Sequence, residues 1–213
     1  MEEQIVPLNV IKIGLLGDSD VGKSAICNTL MDIEFSYSMQ LTMGFEKFEK
    51  KVILNNGKNI KLVILDSSGQ ERYRSFAFNV MKSIIGIVLV FSVKRKKSFD
   101  DLNILLEQIK DNFDNPYLIL FGNQVDEDKT KWEVTSEEAS KFAKEKGMAY
   151  FEVSAKTGKG INEGFEYFAN EIYDKINKKI QNKKEIEIND KKIIKTNKKS
   201  DCVKSKKSIS EKK

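Results

Sequence analysis

The sequence contains the octapeptide Gly17-Asp18-Ser19-Asp20-Val21-Gly22-Lys23-Ser24, which fits the pattern G-x-x-x-x-G-K-S/T. A strand-like apolar stretch at residues 10–16 precedes it, and a helix-compatible stretch at 24–31 follows it. Glycines let the backbone curl so that N–H groups point at phosphate oxygens, and the start of a helix adds partial positive charge. Lys23 is therefore predicted to reach nucleotide phosphates, and the Ser24 hydroxyl to ligate Mg²⁺. A turn without a ligand is the alternative, which the strand–loop–helix context disfavours.

Strand-like and helix-like stretches alternate along most of the chain. Apolar runs predict strands at 10–16, 48–54, 59–65, 84–93, 116–121 and 148–153, with a hairpin turn at 55–58. Helical spacing and a capping pattern predict helices at 24–31, 98–113, 135–146 and 161–179. This alternation predicts an α/β fold with a mostly parallel, six-stranded sheet that carries helices on both faces.

Composition excludes several classes of function. The chain has 213 residues and no histidine, which excludes Ser-His-Asp and Cys-His catalysis and histidine-ligated metals. Its two cysteines cannot form a disulfide framework or a zinc site. No apolar run approaches the roughly 20 residues of a membrane helix, and the acidic start does not resemble a secretory signal. We therefore expect a cytoplasmic protein.

Charge divides the chain into an acidic body and a basic end. Residues 175–213 hold 15 lysines and 5 acids, whereas the remaining residues carry a net charge of −5. We expect an N-terminal extension at 1–8, a single nucleotide-binding domain at 9–180 and a Lys-rich, disordered tail at 181–213.

A second polar stretch, Asp66-Ser67-Ser68-Gly69-Gln70, follows the predicted strand at 59–65. A carboxylate at this place can hold Mg²⁺ through water, and a glycine N–H can sense a γ-phosphate. A glutamine can orient an attacking water, since phosphoryl transfer needs positioning more than covalent chemistry. For this stretch alone, a polar β-turn is the more common structure.

Two further stretches can select the base. Asn123-Gln124-Val125-Asp126 follows the strand at 116–121, and the Asp126 carboxylate can accept hydrogen bonds from N1–H and the 2-amino group of guanine. Adenine offers neither donor, so this carboxylate would select guanine. Ser154-Ala155-Lys156 follows the last strand, and a backbone N–H there could bind guanine O6. An ordinary Asn/Asp turn is the alternative for either stretch alone.

The order of these motifs resembles that of the Ras superfamily of small GTPases over roughly residues 9–175, and most closely that of Rab proteins. The Rab-like stretches are Gly17-Asp18-Ser19, Gly69-Gln70-Glu71-Arg72-Tyr73-Arg74-Ser75, Ser98-Phe99 and Glu152-Val153-Ser154-Ala155-Lys156. The resemblance implies a molecular switch that alternates between GDP and GTP forms, hydrolyses GTP with Mg²⁺ and acts in vesicle trafficking. Ligands of open α/β sheets bind where the strands end, as these motifs require.

The resemblance also assigns individual roles. Gln70 would be catalytic, Thr42 would bind Mg²⁺ and the γ-phosphate, and Phe35 would pack against guanine. Residues 33–43 and 67–82 would form two switch segments. The metal ligands would be Ser24, Thr42 and Asp66. The other nucleotide-binding residues would be Gly17, Ser19, Asp20, Val21, Gly22, Lys23, Ala25, Gly69, Asn123, Gln124, Asp126, Ser154, Ala155 and Lys156.

The implied partners are an exchange factor, an activating protein and effectors, acting on a monomer. No arginine is expected near the phosphate loop, so a catalytic arginine would come from the activating protein in trans. A member acting outside trafficking and a non-hydrolysing scaffold remain alternatives, although Gln70 argues against the scaffold. A nucleic-acid binder is disfavoured, because the Lys-rich tail lacks arginine and interleaved aromatics.

Some residues depart from the family pattern. Asp20 brings a carboxylate close to the triphosphate, and Gln124 replaces the lysine of N-K-x-D, whose stem covers the base. Met39 stands where many Rabs have a tyrosine that closes over the phosphates. We expect Asp20 and Gln124 to speed nucleotide release. Eleven residues follow Cys202, so we expect no C-terminal prenylation signal, and the protein would be peripheral on endomembranes at most.

The basic tail predicts reversible attraction to anionic membranes. The full chain should co-sediment with phosphatidylserine vesicles at low salt, because each lysine near such a surface contributes up to about 1 kcal/mol. Truncation after residue 182 should abolish this binding, and added salt should weaken it. If the full chain stays in the supernatant at low salt, the tail is a solvated linker instead.

Overall fold

The computed structural model describes residues 8–36, 45–67 and 74–182, with the backbone alone at 74–76. The chain divides into two units, which comprise residues 1–172 and residues 173–213. The first unit holds the sheet. In the second, residues 173–182 are helical.

The described strands and helices alternate as the sequence predicts, with one addition, because the helix at Arg74–Val80 was not predicted. The strands are β1 Val10–Leu16, β2 Phe45–Ile53, β3 Asn59–Ser67, β4 Gly86–Ser92, β5 Tyr117–Asn123 and β6 Ala149–Glu152. The helices are α1 Lys23–Leu30, α2 Arg74–Val80, α3 Lys96–Asp100, α4 Leu102–Asn112, α5 Ser136–Glu145 and α6 at 161–182. Among the helices in the described ranges, none is long and apolar enough to cross a membrane.

The six strands form one sheet in the order β2-β3-β1-β4-β5-β6. Every neighbouring pair is parallel except β2 and β3, which form the predicted hairpin. The hairpin turn closes through a 2.9 Å hydrogen bond from Leu54 N–H to Lys58 O, and Gly57 supplies the positive φ of 78° that it needs. The predicted α/β class and the mostly parallel sheet are confirmed.

Strand β4 lies at the centre of the sheet and is buried along its whole length. Its continuous apolar sequence fits this position, because a parallel strand with both faces covered has no polar side. Phe91 of β4 and Phe121 of β5 are among the largest fully buried side chains, and β4 is hydrogen-bonded to β5 along its whole length. The loop that follows β4 is therefore held firmly at the edge where β1 and β5 also end.

The helix predicted at 98–113 is divided in the structure. Asp101 separates α3 from α4, and α3 begins at Lys96, two residues before the predicted start. The early start is stabilised by Ser98, whose hydroxyl accepts a 3.0 Å hydrogen bond from Ser92 N–H and so ties α3 to the end of β4. The apolar positions that predicted the helix still face the core: Phe99, Leu102, Leu105 and Ile109 are buried, and Leu106 is partly buried.

Helix α5 begins as its capping pattern predicts. The Thr135 hydroxyl accepts a 3.2 Å hydrogen bond from Glu138 N–H, which satisfies one donor that the helix itself leaves unpaired. The Glu138 carboxylate does not complete a reciprocal capping box, because it pairs with Lys96. Helix α5 therefore packs beside α3.

Candidate functional site

The loop at 17–22 follows β1 and requires glycine at two positions. A Cβ at Gly17 would collide with the Val90 carbonyl oxygen of β4, and a Cβ at Gly22 would collide with Asn123 Nδ2. Gly22 also has a φ of 90°, which disfavours other residues. Packing against β4 and β5 thus fixes the curled backbone that the octapeptide predicts.

Lys23 places a buried positive charge inside this loop. Its side chain is 5% exposed, and its ammonium donates to the carbonyls of Gly17 and Asp18 at 3.0 and 2.7 Å. Lys23 also opens α1, whose N-terminus carries partial positive charge. The loop therefore combines a buried cation with a helix N-terminus, an arrangement suited to an anion such as phosphate.

Asp66 and Ser24 meet at the ends of β3 and of the loop. The Ser24 hydroxyl donates to Asp66 Oδ2, and the carboxylate is fully buried. Asp66 Oδ1 has no hydrogen-bond partner among the described residues. Burial raises the pKa of Asp66 to about 6, although the Ser24 hydroxyl and Lys23 act in the opposite direction. A buried, incompletely satisfied carboxylate beside a hydroxyl fits Mg²⁺, which prefers oxygen ligands.

A pocket of about 150 Å³ lies beside the phosphate loop. Eight of its ten lining residues are among those predicted from sequence: Gly22, Ala25, Phe35, Asn123, Gln124, Asp126, Ala155 and Lys156. The other two, Lys94 and Glu127, were not predicted. The pocket thus brings together residues from five separate stretches of the chain.

Asn123 joins three of these stretches. Its Nδ2 donates to Val21 O at 2.8 Å, and its Oδ1 accepts from Ala155 N–H at 3.1 Å. The side chain is 1% exposed, so both hydrogen bonds are shielded from water. The phosphate loop, the end of β5 and the loop after β6 are therefore held in one arrangement.

Asp126 lines the pocket and is held by the loop after β6. Its Oδ1 accepts from the Ser154 hydroxyl at 2.6 Å, and its Oδ2 lies 3.9 Å from Lys156 Nζ. The N–H groups of Ser154 and Ala155 donate within the protein, to Lys159 O and to Asn123. The expectation that an N–H of this stretch binds guanine O6 stays a prediction.

Gln124 is turned toward β4. It has a positive φ of 72°, and its Oε1 accepts from the Ser92 hydroxyl. The side chain that replaces the family's lysine is thus neutral and hydrogen-bonded to the end of β4. Asp20, the other departure, is exposed and also has a positive φ, of 60°.

The position of Arg95 shows that one prediction from the sequence was wrong. No arginine was expected near the phosphate loop, but Arg95 Nη2 lies 3.2 Å from Asp18 Oδ2 and donates to Ser19 O. The reason is the strand order: β4 lies next to β1, so the residues that follow the two strands meet although 76 positions separate them. Glu127 was missed because it lies one position beyond the N-x-x-D pattern, and Lys94 was missed for the same reason as Arg95. The end of β4 carries no recognised motif, yet it shares the edge of β1 and β5.

Some predicted residues lie outside the described part of the chain: Thr42, Gly69, Gln70 and Met39, together with the tail from 183 onward and Cys202. Their roles remain predictions.

Two other predicted residues lie in the described phosphate loop. Val21 is fully buried, and Ser19 N–H donates to Asp18 Oδ1 at 2.7 Å.

Comparison with known proteins agrees with the resemblance that the sequence motifs indicate. The sequence model of the Ras family matches residues 12–174. The chain is 34% identical over 171 residues to the Ras-related protein Rab11A of Lotus japonicus, covering 80% of this chain and 75% of that protein. It is 33% identical to the Ras-related protein RABA4a of Arabidopsis thaliana, with the same coverage of both chains.

The raised pKa of Asp66 predicts a pH dependence of stability without nucleotide and metal. Native Asp66 holds its proton more tightly than the unfolded chain does, so its ionisation removes stability as pH rises from about 4 to 6. Between pH 5 and 7.5, the unfolding free energy of the parent should fall relative to Asp66→Asn by on the order of 1 kcal/mol.

Chemical denaturation of the EDTA-stripped protein at both pH values would measure this difference. Comparing the change with pH cancels any constant effect of the amide itself. Asp100→Asn, at a mostly exposed aspartate, is the control and should track the parent. A parallel pH profile for Asp66→Asn and the parent would contradict the assignment.

Proposed function

Because the chain belongs to the Ras family, as a Rab-like small GTPase that binds guanine nucleotide, hydrolyses GTP and acts in vesicle trafficking, we propose that its nucleotide lies along the edge where β1, β3, β5 and β6 end. The observation that carries the proposal is the pair of hydrogen bonds made by Asn123, which joins the phosphate loop to the base-selecting loops. One ligand that bears both a base and phosphates can span these loops.

The base would bind in the pocket beside Asp126. This carboxylate would accept hydrogen bonds from N1–H and the 2-amino group of guanine, while the Ser154 hydroxyl fixes its orientation. Phe35 and the neighbouring stems would cover the base, since Phe35 lines the same pocket. Selectivity for guanine follows, because adenine would leave the carboxylate without donors.

The phosphates would bind in the loop at 17–22 against the Lys23 ammonium. Ser24 and Asp66 would hold Mg²⁺ together with Thr42, and a bound Mg²⁺ would neutralise charge that develops on the phosphates. Two observations support this assignment: Ser24 donates a hydrogen bond to Asp66, and Asp66 Oδ1 has no partner among the residues that the structure describes. The Gly69 N–H would sense the γ-phosphate, and Gln70 would orient the attacking water.

The family membership also implies regulators. We propose that an exchange factor, an activating protein and effectors act on a monomer, that residues 9–180 are the domain they contact, and that the basic tail associates with endomembranes. A catalytic arginine from the activating protein remains part of this proposal, because Arg95 already holds Asp18 and Ser19.

Asp126→Asn tests the base assignment. An amide cannot accept both hydrogen bonds from guanine, so GDP affinity should fall by about 100-fold or more and preference should shift toward xanthine nucleotides. Competition between GDP and XDP for the purified protein would measure the preference. Asp128→Asn, which alters only an aspartate that caps the short turn at Lys129–Lys131, is the control. Unchanged preference for guanine in Asp126→Asn would refute the assignment.

Gln70→Leu tests the hydrolytic assignment. Leucine keeps the bulk but cannot orient water, so the single-turnover rate of GTP hydrolysis should fall about 100-fold while GTP affinity is retained. Gln108→Leu, on the surface helix α4, should hydrolyse GTP at the parental rate. If the parent itself does not turn over bound GTP, the protein is a GTP-binding scaffold instead.

A further inference from the structure

Two cationic residues, Lys94 and Arg95, follow β4 after one intervening residue and reach the nucleotide site, although no sequence motif marks them. Lys94 lines the pocket that contains Asp126, and its ammonium lies 3.1 Å from Glu127 Oε1. Arg95, the next residue, contacts the phosphate loop at Asp18 and Ser19. Consecutive residues therefore contact the base end and the phosphate end of the same site.

Lys94 is held in place from the base-selecting loop. Glu127 follows Asp126 directly, and it accepts from Lys94 on one oxygen and from Lys131 on the other, at 3.1 and 3.4 Å. These two lysines lower the pKa of Glu127. Glu127 O also accepts a 3.2 Å hydrogen bond from Trp132 Nε1, which anchors this loop. Lys94 is thus a pocket-lining residue whose ammonium is paired with the loop that carries Asp126.

Arg95 restrains the phosphate loop. Its Nη2 bridges a backbone carbonyl, Ser19 O, and a side chain, Asp18 Oδ2, so one guanidinium fixes two points of the loop. It also offsets the charge of Asp18, which with Asp20 places two carboxylates on a loop proposed to hold phosphates. Fixing a loop before its ligand arrives reduces the entropic cost of binding.

Gln124 supplies neither positive charge nor a free stem to the pocket. It is neutral, and its amide oxygen is engaged by Ser92 at the end of β4. Lys94 and Gln124 both line the pocket, so a positive charge lacking at one position is present at the other.

We propose that Lys94 and Arg95 form a nucleotide-retaining pair, in which Lys94 covers the guanine base and Arg95 is a positioning residue for the phosphate loop. The inference rests on the proposed nucleotide site. It implies that the rapid nucleotide release expected from Gln124 and Asp20 is offset by Lys94 and Arg95.

Dissociation of fluorescent N-methylanthraniloyl-GDP from the full chain with Mg²⁺ tests the pair. Lys94→Ala and Arg95→Ala should each release this nucleotide about three- to tenfold faster than the parent, the size expected for partly exposed charged contacts. Lys96→Ala is the matched control, because it removes the same charge from the same segment but pairs with Glu138. Release from Lys96→Ala should be unchanged; equal acceleration in all three variants would overturn the proposal.

A double variant separates a role in the pocket from a loss of folding. Gln124→Lys adds the charge and stem next to Lys94, at a backbone conformation that glutamine already adopts. It should restore slow release in Lys94→Ala and slow the parent by a smaller factor, since neighbouring residues with one role are not additive. Equal factors in both backgrounds would mean that Lys94 does not act in the pocket.

The role of Arg95 requires a measurement that a general loss of structure would leave unchanged. Its contacts lie on the phosphate loop, so Arg95→Ala should weaken GDP more than GMP in competition with the fluorescent nucleotide, whereas Lys94→Ala should weaken both equally. Equal losses of GDP and GMP in Arg95→Ala would overturn its role. Asp126→Asn, measured in parallel, distinguishes failure of the proposed nucleotide site from failure of the retaining pair. If only Asp126→Asn alters nucleotide binding, the site is supported and the retaining pair is refuted.

Discussion

The two hydrogen bonds of the Asn123 side chain hold the site together. One joins the end of β5 to the phosphate loop through Val21 O, and the other joins it to the loop after β6 through Ala155 N–H. Because the side chain is buried, neither bond competes with water, and breaking either would leave a buried group unpaired. The packing of Gly22 against Asn123 depends on the same contact, so the curl of the phosphate loop and the position of the base pocket are coupled.

Buried charges suit the site to phosphates and Mg²⁺, but they lower the stability of the folded protein when no ligand is bound. Lys23 and Asp66 are both almost completely buried, and Asp66 keeps one oxygen without a partner in the described part of the chain. Burial makes the ionised form of this carboxylate costly, and it therefore raises the pKa of Asp66 to about 6. A ligand that brings phosphates and Mg²⁺ would relieve both charges, so we expect the protein to gain stability when it binds nucleotide.

The sequence predicted most of the fold because its signals are local. The apolar run of β4, the Asn55-Asn56-Gly57-Lys58 turn and the cap at Thr135 each depend on residues close in sequence, and each is found in the structure. The start of α3 at Lys96 was missed, since it is stabilised by a contact between Ser98 and the end of β4 that spacing does not reveal. Among the described site residues, the motif positions converge, whereas Lys94, Arg95 and Glu127 were not foreseen.

The sequence by itself determined the order of the strands along the chain and the motif residues, because a phosphate loop, a base-selecting aspartate and strand periodicity are encoded in short stretches. Only the tertiary structure decided which unmarked residues join them. The strand order places β4 between β1 and β5, so Lys94 and Arg95 fall beside loops that lie far away in the chain. Residues without a motif acquire their contacts from the neighbours that parallel strand pairing gives them, and pairing over such distances is a property of the folded sheet.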